Sequence, residues 1–453
     1  MDEAPRTFLL AVLALAETAA ALCAQDLPPP VHSARAVEQS HEADATPIPA
    51  VPLVLTLDQA IDTCLRADPK LHAGYQAVRQ ANADALSASL LPNPQLFTDG
   101  QLLPFNGSFT PTTQGGPTQQ DANLIYPVDW FLFGKRMAAM AGAEASVRIS
   151  EAEYADLVRQ RVLETAVAFF DVVEANTLLE IAQQDVQGLD DALRKAKHEG
   201  GNTELELNRV RLSLLSSRRS QRDAESAVVT SMAHLRSILG EVVGIPRFDA
   251  MSSLDKPRFV NPIPVEDAFA LALQFRPDIA ALRTKVDQAR TNAITERRKA
   301  YPAVAAQLGY THQYQQSLGF PDANSWNAAV TMSLPFFDRN QGNCSKASSV
   351  ILQTQEELRL AEAQLRAELE TSINELRTAR INADSVAQEQ LELAAAVRDS
   401  MNQAYETGKC PLSDMLDAQR VYRDTLRLFI SSRADYWRAA YKFDAAIGQQ
   451  MTR

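Results

Sequence analysis

From residue 158 to residue 193 the positions Val158, Val162, Thr165, Phe169, Val172, Asn176, Leu179, Gln183, Val186, Asp190 and Leu193 follow one another in alternating steps of four and three. That spacing is the seam of a coiled coil with polar interruptions. A second apolar line runs beside it through Leu163, Val167, Phe170, Leu178 and Ile181, so such a helix packs on both flanks and leaves one face wet. Proline is absent from Trp130 to Ile245 and again from Phe336 to Cys410. A helix from about 136 to 198 would run roughly 95 Å at 1.5 Å per residue, which no compact globular domain accommodates. It suits a stave in a tube, or a partner in a soluble coiled coil.

A different period precedes each of these runs. Trp326, Ala328, Val330, Met332 and Leu334 are apolar while Ser325, Asn327, Thr331 and Ser333 are polar, and Val304, Ala306, Leu308 and Tyr310 alternate with Ala305, Gln307 and Gly309. Ala122, Leu124, Tyr126 and Val128 keep the pattern earlier in the chain, with residues 94–103 as the partner strand. Period two predicts strands with one apolar and one polar face. Strands of roughly ten residues cross a bilayer when tilted. Four strands alone would leave open edges in hydrocarbon, each unpaired backbone group costing several kcal/mol. The barrel is therefore expected to be shared, three chains giving twelve strands. The competing reading is a small soluble sheet capping a helical bundle, because neither hairpin is strongly hydrophobic.

The chain also repeats itself. At one constant offset of 208 residues Ala60 meets Ala268, Pro69 meets Pro277, Pro94 meets Pro302, Pro127 meets Pro335, Gly134 meets Gly342 and Gly240 meets Gly448. Internal repeats decide architecture before any local assignment. The expected organisation is a first repeat over 56–245, with a hairpin near 94–129 and a long helical hairpin near 134–240. A link over 246–263 leads to a second repeat over 264–453, with a hairpin near 302–335 and a long helical hairpin near 342–448. Thr56-Leu57-Asp58-Gln59 has capping-box form, and Asp68-Pro69 restarts a second helix.

Composition narrows the function. A net charge of −12 and a pI near 5.1 argue against nucleic acid, whose binding needs Lys and Arg to neutralise phosphates. Residues 1–25, with an apolar run over 8–22 ahead of Cys23, are expected to be a signal peptide, although Asp2, Glu3 and Glu17 depart from the pattern. Residues 26–55 are expected to be a proline-rich extended segment. Cys23 is a candidate lipid anchor, with Leu22 where that processing signal prefers a small residue. Nothing after residue 25 approaches the 18 apolar residues of a spanning helix, so any crossing must be made of strands. Cys64, Cys344 and Cys410 show no metal-ligand spacing. Six scattered histidines and the absence of phosphate-loop, HExxH or GxSxG motifs leave no catalytic constellation, no cofactor and no metal site.

With these units in view, the chain resembles the TolC-like outer-membrane efflux family over essentially its whole length after residue 55. Leu334-Pro335-Phe336-Phe337-Asp338-Arg339-Asn340-Gln341-Gly342-Asn343 is similar to the strand-to-helix joint of the heavy-metal (CzcC-like) branch, with Gly134-Lys135-Arg136 at the first joint. The resemblance implies a mainly α fold with transmembrane β: a homotrimer whose twelve-stranded barrel lies in outer-membrane lipid and continues as a periplasmic helical tunnel. It implies a passive exit duct that meets a periplasmic adaptor and an inner-membrane pump of the RND type. The turns 198–202, with Gly200 and Gly201, and 405–409, with Gly408, would be the adaptor-docking tips. Asp414 and Asp417 stand where the family lines its periplasmic entrance, with Tyr405 beside them, and threefold symmetry would make them rings attractive to cations. Cys410 and Leu207 replace an Arg and an Asp that lock the gate in some members. The alternatives are a soluble periplasmic coiled-coil scaffold and a type I secretion duct of the same fold.

Overall fold

The computed structural model describes residues 53–103, 112, 116–198, 203–240, 248–250, 254 and 263–449. The expected signal segment with Cys23, nearly all of the proline-rich segment, Gly200 and Gly201, and most of the link 246–263 lie outside the described residues.

The first repeat opens with strand β1 (Leu53–Leu55), then helices α1 (Leu57–Ala67) and α2 (Pro69–Ser89). Thr56 caps α1 in a complete capping box with Gln59, and the Asp68 side chain caps α2 ahead of Pro69. Strands β2 (Gln95–Gln101) and β3 (Thr118–Pro127) follow. The short helix α3 (Asp129–Leu132) leads into α4 (Lys135–His198), of 64 residues, and α5 (Glu204–Leu239) returns alongside it. After β4 (Phe248–Ala250) the order recurs: α6 (Val265–Phe275), α7 (Pro277–Lys299), β5 (Val304–Tyr314) and β6 (Ala323–Met332). The second long arm is α8 (Gln341–Ile381), a π-helical turn over Asn382–Val386, and α9 (Ala387–Glu406), with α10 (Leu412–Ile447) returning. The bounds of α1 and α6, and those of α5 and α10, differ by the sequence offset of 208 at both ends.

Two expectations about the long helices change. The sequence reads the second repeat as a very long helix from near 342 to the turn at 405–409, and the structure interrupts it with the π turn, which shifts which side chains face the core on either side. Along α4 one half of the expected seam holds, with Thr165, Val172 and Leu193 buried. In the other half Phe169 is buried as expected, but beyond it the buried line lies one residue earlier than Asn176, Gln183 and Asp190: Ala175, Ala182 and Leu189 are buried, while Gln183 is exposed. Small alanines let neighbouring helices approach closely, and hydrophobic periodicity undervalues them against larger residues.

Burial is concentrated in three places. One cluster joins Phe169, Phe170 and Val172 of α4 to Leu235 and Ile238 of α5 and to Ile430 and Ala434 of α10. A second gathers Leu365, Leu369 and Leu376 of α8 around Tyr436, Phe443 and Ile447 of α10. The last third of α10 thus packs against helices of both repeats. The third cluster lies at the far end of the helices, where Leu189 and Leu193 meet Val210, Leu214, Leu412, Met415 and Leu416. Among the described residues Cys64, Cys344 and Cys410 are free thiols, and burial pushes the Cys64 thiol up.

Candidate functional site

The four long strands form one antiparallel sheet in the order β2-β3-β5-β6, so a strand of each repeat pairs at its centre. Residues opposite one another in an antiparallel ladder share a face. Leu96, Leu124, Leu308 and Ala328 form one such row, Ala122, Tyr310 and Trp326 the next, and Tyr126, Ala306 and Val330 a third. This face is apolar and uncovered: Trp326 is 77% exposed and Val330 72%.

The opposite face is polar. Gln119 Nε2 donates to Gln101 Oε1 at 3.0 Å and Gln313 Nε2 to Gln119 Oε1 at 3.2 Å, a ladder of amides across β2, β3 and β5. Gly309 lies between Asn123 and Asn327, and a Cβ there would sit 1.9 Å from Asn123 Oδ1. Only glycine fits. The outer edges of β2 and β6 carry no partner strand among the described residues.

The joints between strands and long helices are tied by cations. Lys135 Nζ donates to Asp129 Oδ2 at 2.7 Å and to the carbonyl of Tyr301 at 3.1 Å, and Arg298 Nη1 donates to the carbonyl of Gly134 at 2.5 Å. Gly134 takes a positive φ of 60°, but Gly342, its partner in the repeat, does not. In the second joint Asn340 adopts the left-handed conformation instead, with φ 57°, a conformation asparagine tolerates better than most residues.

At the far end Tyr405 and Gly408 close α9. Gly408 has φ 68°, its N–H donates to the Tyr405 carbonyl at 2.9 Å, and the Lys409 N–H donates to the Ala404 carbonyl at 2.8 Å. This is a Schellman ending, which satisfies the last carbonyls and turns the chain sharply. The facing turn starts α5 with a capping box of Thr203 and Glu206. Those hydrogen bonds from Thr203 hold the Glu206 carboxyl below its usual range.

Asp414 and Asp417 lie one turn apart on the exposed side of α10, while Leu412, Met415 and Leu416 point into the third cluster. Ser413 Oγ donates to Asp414 Oδ1 at 3.0 Å. Tyr405 is half-buried and packs against the apolar cluster, where it braces the turn. Higher on the same helices Arg423 pairs with Asp185, which also accepts from Ser217 Oγ at 2.6 Å. The Arg398 guanidinium lies 4.0 Å from the centre of the Tyr422 ring. Sequence periodicity gives no sign of these ties, since each links residues far apart in the chain.

No described helix is long and apolar enough to cross a membrane, and no group of three or more His, Cys, Asp or Glu among the described residues could hold a metal. An apolar-faced sheet drawn from two repeats, carried on helices nearly 100 Å long at 1.5 Å per residue, is the build of an outer-membrane channel subunit. The chain belongs to the outer membrane efflux protein family, whose model matches residues 60–241 and 269–449. It is 25% identical over 415 residues to the cobalt-zinc-cadmium resistance protein CzcC of Cupriavidus metallidurans, covering 87% of this chain and 90% of that one. It superposes on the CmeC outer membrane channel of Campylobacter jejuni with a TM-score of 0.74 at 18% identity, covering 88% of this chain and 87% of that one. For the open state of the MtrE outer membrane channel of Neisseria gonorrhoeae the TM-score is 0.70 at 17% identity, covering 90% and 94%. The protein is an outer-membrane efflux channel with a periplasmic helical tunnel, not an enzyme.

Proposed function

We propose that this chain is one protomer of a homotrimeric, passive exit duct in a tripartite efflux system. One observation carries the reading: the sheet joins an uncovered apolar face to two edges, on β2 and β6, that carry no partner strand among the described residues. In hydrocarbon both edges must be paired, and pairing β2 of one copy with β6 of the next closes twelve strands around a polar interior. The helical ends, with Gly200, Gly201 and Gly408, dock a periplasmic adaptor, and an inner-membrane pump of the RND type delivers the cargo. Asp414 and Asp417 form the entrance constriction, with Tyr405 holding their turn. The name of the relative CzcC supports divalent metal ions as cargo. Cys23 remains the candidate lipid anchor.

The test is the protein mass of the species that detergent extracts from outer membranes of expressing cells. Three times the processed chain is expected. A monomer or dimer released by carbonate without detergent would overturn the duct and favour a soluble coiled-coil scaffold.

A further inference from the structure

The joint that follows β6 differs from the one that follows β3 in a way that the duct does not explain. In the first joint Lys135 and Arg298 are held by carboxylate or carbonyl oxygens, and Arg136 Nε donates to the Ser89 carbonyl at 3.1 Å. In the second, Arg297, Arg339 and Lys346 are exposed, and their side chains make no hydrogen bond or close ion pair among the described residues, although Lys346 is near enough to Glu296 to help hold its carboxyl below the usual range. The acids nearby are already engaged. Asp338 Oδ1 accepts from the Asn340 N–H at 2.8 Å, and Glu296 binds Lys299 Nζ at 2.7 Å and Asn340 Nδ2 at 2.8 Å.

Immediately before Asp338 stand Phe336, 68% exposed, and Phe337, 95% exposed. They follow the end of β6 at Met332, after exposed Leu334 and a tight turn in which the Phe336 N–H donates to the Leu334 carbonyl at 2.9 Å. A hollow of about 300 Å³ lies between this joint and Lys135 of the first, lined also by Lys299, Tyr301, Leu334, Asp338 and Asn340. The order along the surface is therefore apolar sheet, two bare aromatic rings, then exposed cations. The sheet face lies in the membrane and the helices lie in the periplasm, so this order places the rings at the bilayer boundary and the cations at headgroup depth.

We propose that the joint Leu334–Lys346, with Arg297, is a docking surface for an anionic phospholipid of the periplasmic leaflet. Phe336 and Phe337 enter the acyl boundary, and Arg297, Arg339 and Lys346 receive the phosphate and the headgroup charge. Continuity with the membrane face and charge complementarity both select lipid as the occupant. The surface fixes the depth at which the barrel sits and gives the second repeat a preference for acidic lipid that the first lacks. This inference rests on the outer-membrane location and not on the trimeric duct.

The experiment uses the full-length particle extracted in detergent, mixed with phosphatidylglycerol or phosphatidylcholine micelles and weighed intact by native mass spectrometry. The wild type should retain phosphatidylglycerol over phosphatidylcholine. A basic residue near a lipid surface contributes about 1 kcal/mol, so each of Arg297→Gln, Arg339→Gln and Lys346→Gln should lower that retention about fivefold. Phosphatidylcholine, whose choline offsets its phosphate, should lose less retention than phosphatidylglycerol. Phe336→Asn with Phe337→Asn should lower retention of both lipids at unchanged particle mass. Equal retention of the two lipids by the wild type, or undiminished preference in the triple Gln variant, would overturn the proposal.

Discussion

Asp68 and Arg276 occupy the same place in the two repeats and carry opposite charges. Each is the single residue between the first and second helices of its repeat, with φ and ψ of −67° and 116° for Asp68 and −73° and 121° for Arg276. Asp68 accepts from Arg161 Nε at 2.5 Å, while Arg276 donates to Glu368 Oε2 at 2.7 Å and, through two nitrogens, to Asp278. The duplicated unit thus keeps an ion pair from this junction to its long helix and reverses the polarity; the pair is buried on both sides in the first repeat, whereas Glu368 in the second is half exposed. Both side chains of the first pair are under 10% exposed, at 2% and 7%. Removing one partner of a buried pair costs about 3–5 kcal/mol, because the other charge is left without compensation. Arg161→Met should lower the unfolding temperature sharply, and Asp68→Asn combined with Arg161→Met should lower it by less than the sum of the single changes, as read by thermal unfolding in detergent.

The Arg276–Asp278 pair predicts an acid limb. Burial alone would raise the Asp278 carboxyl, but the Arg276 guanidinium bonded to it overrides this and holds it below its usual range. A carboxyl depressed in the folded state contributes stability above its unfolded pKa, about 3.9, and loses it as pH falls toward the lowered folded value. Thermal stability should therefore decline below about pH 4. Arg276→Met should flatten that part of the profile.

Gly240 and Gly448 end the returning helices with φ of 65° and 81°, and each abuts one of these two junctions. A Cβ at Gly240 would lie 2.3 Å from the Ala67 carbonyl oxygen, and one at Gly448 would lie 3.2 Å from the Arg276 backbone nitrogen. Gly408 has φ 68° with open space around it. Gly408→Ala should cost only the left-handed strain, about 1–2 kcal/mol. Gly240→Ala should cost more, and differential scanning fluorimetry of the three alanine variants should rank Gly408→Ala as the mildest.

The two faces of the sheet should respond oppositely to charge. Val330→Arg places a guanidinium on the apolar face and should cost about 2–4 kcal/mol near the bilayer midplane, leaving less protein in the outer-membrane fraction. Thr331→Arg, on the polar face of the same strand, should leave that fraction unchanged.

If Asp414 and Asp417 line the entrance, Asp414→Asn with Asp417→Asn should reduce cation over anion preference in planar-bilayer conductance without changing particle mass. Unchanged selectivity would show that the two carboxylates are solvated faces of α10. Tyr405→Ala should act by loosening the turn, lowering thermal stability.

Much of the architecture was legible before any coordinates. The offset of 208 residues, the capping box at Thr56 and Gln59, and the period-two run from Trp326 to Met332 each rest on local chemistry or simple repetition. The site was legible only in part. Gly408 could be read as a turn, since a sharp reversal favours positive φ, and Asp414 and Asp417 could be read as one exposed face. That Tyr405 packs inward depends on Leu193, Val210 and Met415, which arrive from other helices.

The sequence by itself determined which segments are helix and which are strand, because helical and strand periods are properties of neighbouring residues. Tertiary structure decided the rest. It chose Ala182 over Gln183 for the seam, since close approach rewards the smaller side chain, and it gave the left-handed position to Asn340 rather than Gly342. It put Asp68 opposite Arg161 and Arg276 opposite Glu368, pairs separated by 93 and 92 residues whose signs only their meeting can match. It also left Phe337 bare beside exposed cations, a surface that exists only where the end of β6 meets the start of α8.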